Sequence, residues 1–156
     1  MLIKSCSDRN SIAWSPNGSK AYMGGDGLAI WTYDGGFATI GNALVTGSII
    51  VSAHHPTDNL ILFAGTDKIA TYDAGAASWL EVGSSLIPIN GAAWSPSGTY
   101  AVLCGGDTYN NKRRSIVLLF SKDENRVIKV ETNVPNEIGR VDWEPTHNLI
   151  LGGKIQ

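Results

Sequence analysis

The sequence predicts an all-β fold built from repeated four-stranded antiparallel units. One short segment recurs along the chain at residues 14–19, 54–59, 94–99 and 143–148. The prolines of these copies lie at positions 16, 56, 96 and 145, which gives spacings of 40, 40 and 49 residues. A period of about 40–45 residues is typical of a β-propeller blade. The chain is therefore predicted to be a β-propeller with about three and a half blades.

The same order of strands is predicted in every copy. An apolar strand leads into the proline, and in the last copy Val141 and Trp143 alternate with polar residues, as in a half-buried strand. Proline presets φ and the Gly or Asn after it accepts a positive φ, so this segment predicts a hairpin. A second strand, a glycine-rich turn and two further strands follow, and no stretch has an apolar stripe long enough for a helix. One domain, 1–156, would hold blades at 10–47, 48–89 and 90–138, with a half-blade at 139–156 that 1–9 would complete.

The first copy resembles a WD40 repeat. Residues 11–18 are similar to the first strand and turn of that repeat, and residues 29–31 to the stretch before its Trp-Asp dipeptide. The dipeptide itself is absent, because Thr32 follows Trp31. The resemblance implies a WD40-like propeller in which one aspartate per blade, between the second and third strands, accepts hydrogen bonds that hold the blade together. The matching positions are Asp26, Asp67 and Asp107.

Four tryptophans are predicted to lie in the blade cores. Three of them recur at one position of the repeat, which indicates packing rather than a ligand cage. The predicted core tryptophans are Trp14, Trp94, Trp143 and Trp31.

Composition and charge narrow the classes of partner. Charged residues make up 17% of the chain, below the roughly 25% of ordinary soluble domains. The net charge of −2 does not suit a protein that binds nucleic acid or a membrane surface. No apolar stretch approaches the roughly 18 residues of a membrane span, and the N-terminus does not have the pattern of a signal peptide. We therefore expect a soluble protein, located in the cytoplasm or, for a viral protein, in the virion.

A half-blade leaves open how the ring closes. The chain closes on itself as a four-bladed ring, joins a second chain, or docks on a different protein. Open ends expose unpaired strand edges, which proteins avoid, so we expect an oligomer or a larger complex. The expected partners are other proteins or copies of this chain.

The stretch from Asp107 to Arg114 is the main irregularity of the repeat. It lengthens one hairpin and places three cations next to a tyrosine, a combination that suits an acidic partner or a phosphate group. Propeller proteins commonly bind through such loops. The candidate partner-binding residues are Tyr109, Asn110, Asn111, Lys112, Arg113 and Arg114.

No catalytic residue, metal site or cofactor is predicted. His54 and His55 are neighbours on a strand and point to opposite faces, so both cannot easily bind one ion. A packing or capping role is the better interpretation of these histidines. No phosphate loop or nucleophile motif is present.

The sequence therefore favours a non-enzymatic interaction or structural module of a larger assembly. Binding would involve blade loops and the half-blade. A bacteriophage virion protein of the tail or capsid is a specific form of this hypothesis. The alternative is a glycan-binding or carbohydrate-active propeller.

Overall fold

The structure is a computed structural model that describes residues 9–40, 48–110, 112–132, 138–144, 146 and 150–153. These residues form fourteen β-strands and contain no helix. The predicted all-β class is therefore confirmed for the described part of the chain. Twelve of the strands form three four-stranded antiparallel sheets in which neighbours follow chain order, also as predicted.

The first sheet consists of β1 (Arg9–Trp14), β2 (Lys20–Gly25), β3 (Gly27–Thr32) and β4 (Gly36–Ile40). The second sheet consists of β5 (Ile49–His54), β6 (Leu60–Gly65), β7 (Lys68–Asp73) and β8 (Ser78–Ser84). The third sheet consists of β9 (Ile89–Trp94), β10 (Tyr100–Tyr109), β11 (Lys112–Ser121) and β12 (Arg126–Thr132). A two-stranded sheet consists of β13 (Arg140–Trp143) and β14 (Ile150–Gly153).

The sheets pack on one another in chain order. β1 packs against β5, β5 against β9, and β9 against β13, so the first strands of successive sheets are neighbours. The described sheets do not form a closed ring, and large apolar side chains of the first sheet, such as Trp14 and Phe37, are exposed.

The second sheet is buried on both faces. Along β6, Ile61 and Phe63 belong to the core shared with the first sheet, whereas Leu62 and Ala64 belong to the core shared with the third. Successive residues of a strand point to opposite faces, so a strand between two cores must be apolar at every position. This explains why β6, the second strand of the second sheet, is an unbroken apolar run.

The repeated proline segment forms the same turn in all three large sheets. The residue before the proline donates its N–H to the carbonyl five residues later, at 2.8–2.9 Å in each case. Gly18 and Gly98 occupy the same place in this turn, with φ of 70° and 74°. The three equivalent backbone bonds are Ser15 to Lys20, His55 to Leu60 and Ser95 to Tyr100.

Candidate interaction surfaces

A long hairpin of the third sheet extends beyond the corresponding hairpins of the other sheets. β10 and β11 have ten residues each, whereas β2 and β6 have six. The pairing of β9 with β10 ends at Gly105, and that of β12 with β11 ends at Ile116. The hairpin continues as a two-stranded ribbon, which we call the ribbon and define as residues 107–114. Four additional residues per strand, at about 3.4 Å each, extend it by roughly 13 Å.

The structure corrects the prediction of a loop here, because most of the candidate residues lie in strands. Tyr109 pairs with Lys112 and Thr108 with Arg113, so the β-ladder continues almost to the tip. Asn110, with φ of 50°, turns the chain. Asn111 lies outside the described residues.

One of the three predicted cations is already compensated within the ribbon. The Arg114 side chain donates hydrogen bonds from Nε and Nη2 to the two carboxylate oxygens of Asp107, the first at 2.8 Å. Its guanidinium also lies 4.7 Å from the centroid of the Tyr109 ring. Lys112 and Arg113 are exposed and, as strand neighbours, point to opposite faces. The ribbon therefore presents one exposed cation on each face.

The aspartates predicted to fix the turns do not form one structural class. Asp26 and Asp67 lie between the second and third strands of their sheets, as predicted, with Asp26 exposed and Asp67 half-buried. Asp107 lies inside β10 and not in a turn. The reason is the longer ladder, which moves the turn of the third sheet to Asn110 and places Asp107 opposite Arg114.

The predicted core tryptophans also differ from one another. Trp94 is only 9% exposed, and its indole N–H donates to the Ala53 carbonyl of the second sheet at 3.0 Å. Trp14 occupies the same repeat position but is 51% exposed, so the prediction that it lies in the core is wrong. Trp31 and Trp143 are half-buried.

Trp14 belongs to an apolar face of the first sheet, which we call the aromatic face. The cross-strand register places Trp14, Ala21, Trp31 and Phe37 in one row on the same side of the sheet. Ile12 lies two residues before Trp14 on the same side, and Tyr33 directly follows β3. The aromatic face comprises Ile12 (56% exposed), Trp14 (51%), Phe37 (46%), Tyr33 (78%) and the half-buried Trp31.

Comparison of the sheets shows why Trp14 is exposed. In the third sheet, the row equivalent to Trp14 and Trp31 holds Trp94 and Phe120, which face the second sheet. In the second sheet, the corresponding residue Tyr72 is buried against the first. Each sheet thus covers the equivalent face of the next sheet along the chain. No described sheet covers that face of the first.

The contact between the second and third sheets is centred on His55. His55 is buried and its ring meets the Trp94 ring at 4.7 Å, nearly edge to face. Its Nδ1 accepts the backbone N–H groups of Thr57 and Asp58, so the hydrogen lies on Nε2, which donates to the Gly98 carbonyl at 3.0 Å. Burial lowers the pKa of His55, in keeping with this neutral form. His55 therefore connects the second and third sheets.

The other reactive groups of the described residues have structural environments. Burial raises the pKa of the Cys104 thiol to about 12, which suppresses the thiolate. Within the described ranges, no group of three or more His, Cys, Asp and Glu side chains is placed to hold a metal ion. A shallow cleft lies where Asp58 and Lys122 form an ion pair between the second and third sheets.

Sequence reasoning missed the aromatic face, although a signal for it is present. Residues 14–16 and 94–96 are both Trp-Ser-Pro, and this identity predicted the same environment for both tryptophans. The aromatic and aliphatic residues at positions 12, 14, 31 and 37 were visible, but the register that brings them together depends on strand pairing.

Comparison with known proteins gives no family. Neither a family model nor a curated protein sequence matches the chain. In the part of the chain that the structure describes, no helix has the length and apolar character needed to cross a membrane.

Proposed function

We propose that this chain is a non-enzymatic protein-interaction module, a structural component of a larger assembly built from WD40-like propeller blades. The repeat period and the stacking of successive first strands support the propeller part of this proposal. The aromatic face is the observation that supports the proposed role in protein interaction.

The aromatic face has the properties of a protein interface. Its side chains are large and apolar, and none of its five members carries a charge. Soluble proteins rarely expose contiguous apolar patches of several hundred square ångströms unless they bind something there. The equivalent faces of the second and third sheets are both covered by protein.

Ring geometry favours a protein partner over a glycan. Trp14 and Trp31 meet at 5.8 Å with an interplanar angle of 80°, and Trp31 and Tyr33 meet at 6.3 Å and 85°. These rings stand edge to face, so they do not form one flat platform on which a sugar ring would stack. Interdigitating side chains of another protein sheet fit such a surface better.

The ribbon supplies a second contact in this proposal. It projects from the stack, its two strands pair with no further strand among the described residues, and Lys112 and Arg113 are exposed. Unpaired edges accept a further strand, and the two cations favour an acidic segment.

In-cell photo-crosslinking tests the proposal. A photoreactive phenylalanine analogue at Phe37 should give a discrete protein adduct in the cells that make this protein. The matched control is the same analogue at Leu86, which is 93% exposed in the connection between β8 and β9. Equal adducts at the two positions, or none at Phe37, would contradict an interface on the aromatic face.

A further inference from the structure

The two ends of the sheet stack have opposite surface chemistry. At one end lies the uncharged aromatic face. At the other, β13 alternates between the half-buried Val141 and Trp143 and the exposed Arg140 and Asp142. Neighbours on a strand point to opposite faces, so the outer side of β13 is charged.

The repeat shows how unusual this charged side is. By register, Asp142 occupies the position of Ala13, Ala53 and Ala93 in the other sheets. Ala53 belongs to the core against which Trp94 packs. If β13 of another copy covered the aromatic face, the carboxylate of Asp142 would be buried against indole rings, which is costly without a paired charge. Head-to-tail stacking of copies is therefore unfavourable.

An uncharged face is compatible with a copy of itself. Two-fold dimers, in which the same patch of each subunit meets, are the commonest homo-oligomers. If each fully exposed side chain spans about 200 Å², the exposed parts of Ile12, Trp14, Tyr33 and Phe37 amount to roughly 450 Å². Two copies would then bury about 900 Å² of apolar surface before any rim is counted, against the roughly 1,200–2,000 Å² of a stable interface.

We infer that the aromatic face is the interface of a two-fold dimer, in which it packs against the aromatic face of a second copy of this chain. This inference rests on the proposed function and names the partner. It differs from the expected joining of an N-terminal strand to the half-blade, because neither end of the chain is needed for the contact.

Sedimentation equilibrium of the purified chain gives the first test. We expect a reversible dimer with twice the 16.6 kDa mass of one chain. Ile12→Lys should weaken the dimer at least tenfold, because two lysines would be buried across the two-fold axis. Leu86→Lys, an equally drastic change at an exposed apolar residue outside the face, should leave the dimer unchanged. In dilute protein, where the wild-type dimer is also dissociated, both variants should keep the wild-type unfolding midpoint, which shows that they fold.

Mixing charge variants distinguishes a two-fold contact from a head-to-tail one. Ile12→Lys and Ile12→Glu should each be monomeric, and their mixture should form a heterodimer, because the two altered faces meet. In a head-to-tail contact the altered face would meet an unaltered surface, and mixing would restore nothing. Phe37→Lys with Phe37→Glu is a second pair. Failure of both pairs to restore association would overturn the inference.

Hydroxyl-radical footprinting distinguishes failure of the dimer from failure of the proposed function. If the wild-type chain stays at 16.6 kDa at every concentration while Trp14 and Phe37 are oxidised readily, the dimer is refuted and the face is free for another protein. If these two residues are protected in that monomer, the chain covers the face itself. Both proposals are then wrong.

Discussion

Replacing Gly98 with alanine should destabilise the fold much more than replacing Gly18, although the two glycines occupy the same turn of the repeat. Both have a left-handed backbone, with φ of 74° and 70°. A Cβ atom at Gly18 would meet nothing within 4 Å, whereas one at Gly98 would overlap the imidazole of His55. Gly18→Ala is therefore a matched control for the backbone cost alone.

The expected magnitudes follow from these contacts. A left-handed alanine costs about 1–2 kcal/mol in either turn. At Gly98, the buried His55 ring must also shift away from Trp94, an overpacking cost of about 1–3 kcal/mol, and its hydrogen bond to the Gly98 carbonyl, worth about 1 kcal/mol, is lost. We therefore expect a loss of about 3–6 kcal/mol for Gly98→Ala and about 1–2 kcal/mol for Gly18→Ala.

Urea unfolding followed by tryptophan fluorescence measures both free energies. His55→Ser, which installs the residue found at positions 15 and 95, completes a double-mutant cycle with Gly98→Ala. Removing the ring should relieve the overlap, and the hydrogen bond to the Gly98 carbonyl would be lost only once. The two changes should therefore cost about 2–4 kcal/mol less together than the sum of their single effects. Equal losses for the two glycine variants, or additive effects in the cycle, would refute the contact between the second and third sheets.

Further outcomes follow from the same structure. Lowering the pH below about 6.5 should lower the free energy of unfolding, because burial depresses the pKa of His55 and the unfolded chain takes up the proton first. Urea unfolding at pH 7 and pH 5 measures this change, and the free energy should depend less steeply on pH in His55→Ser. Trp94→Phe should lower the free energy of unfolding by about 1–3 kcal/mol, because the indole hydrogen bond is lost. Trp14→Phe, measured in dilute protein, should lower it by less than about 1 kcal/mol, because Trp14 is half-exposed. Equal losses would contradict the different burial of the two side chains. Asp107→Asn should change the free energy of unfolding by less than about 1 kcal/mol in the same assay, because the ion pair of Asp107 with Arg114 is partly exposed. A loss above about 2 kcal/mol would contradict this, since the ribbon would then contribute substantially to the stability of the fold.

Local signals predicted most of the sheet architecture. The copy at residues 54–59 lacks the tryptophan but keeps the proline, and the structure forms the same hairpin there as at residues 14–19. Turn residues and apolar runs act within a few positions of the chain, so a single sequence contains this information. His55 was predicted to have a packing or capping role because a metal site was improbable there, and the structure shows both contacts.

The errors arose where the environment depends on distant parts of the chain. Gly25-Asp26 and Gly106-Asp107 have the same local sequence, yet only Asp26 lies in a turn. Strand β10 continues through Asp107 in its ladder with β11, where Arg114 lies opposite Asp107 and bonds its carboxylate. A cross-strand partner seven residues away cannot be inferred from turn chemistry.

Trp14 and Trp94 differ in exposure because of packing between sheets, which lies beyond the pairing of strands within one sheet. Both side chains lie on one face of their own sheet. Trp94 is a core residue only because the second sheet packs on that face. At one end of the described sheet stack, the exposed Arg140 and Asp142 give β13 a charged side. The aromatic face at the other end is apolar, because its outward-pointing side chains are of the kind that lies between packed sheets elsewhere in the chain. In the proposed dimer a second copy of the chain would bury these side chains, and the free energy of that burial would come from association and not from the described fold.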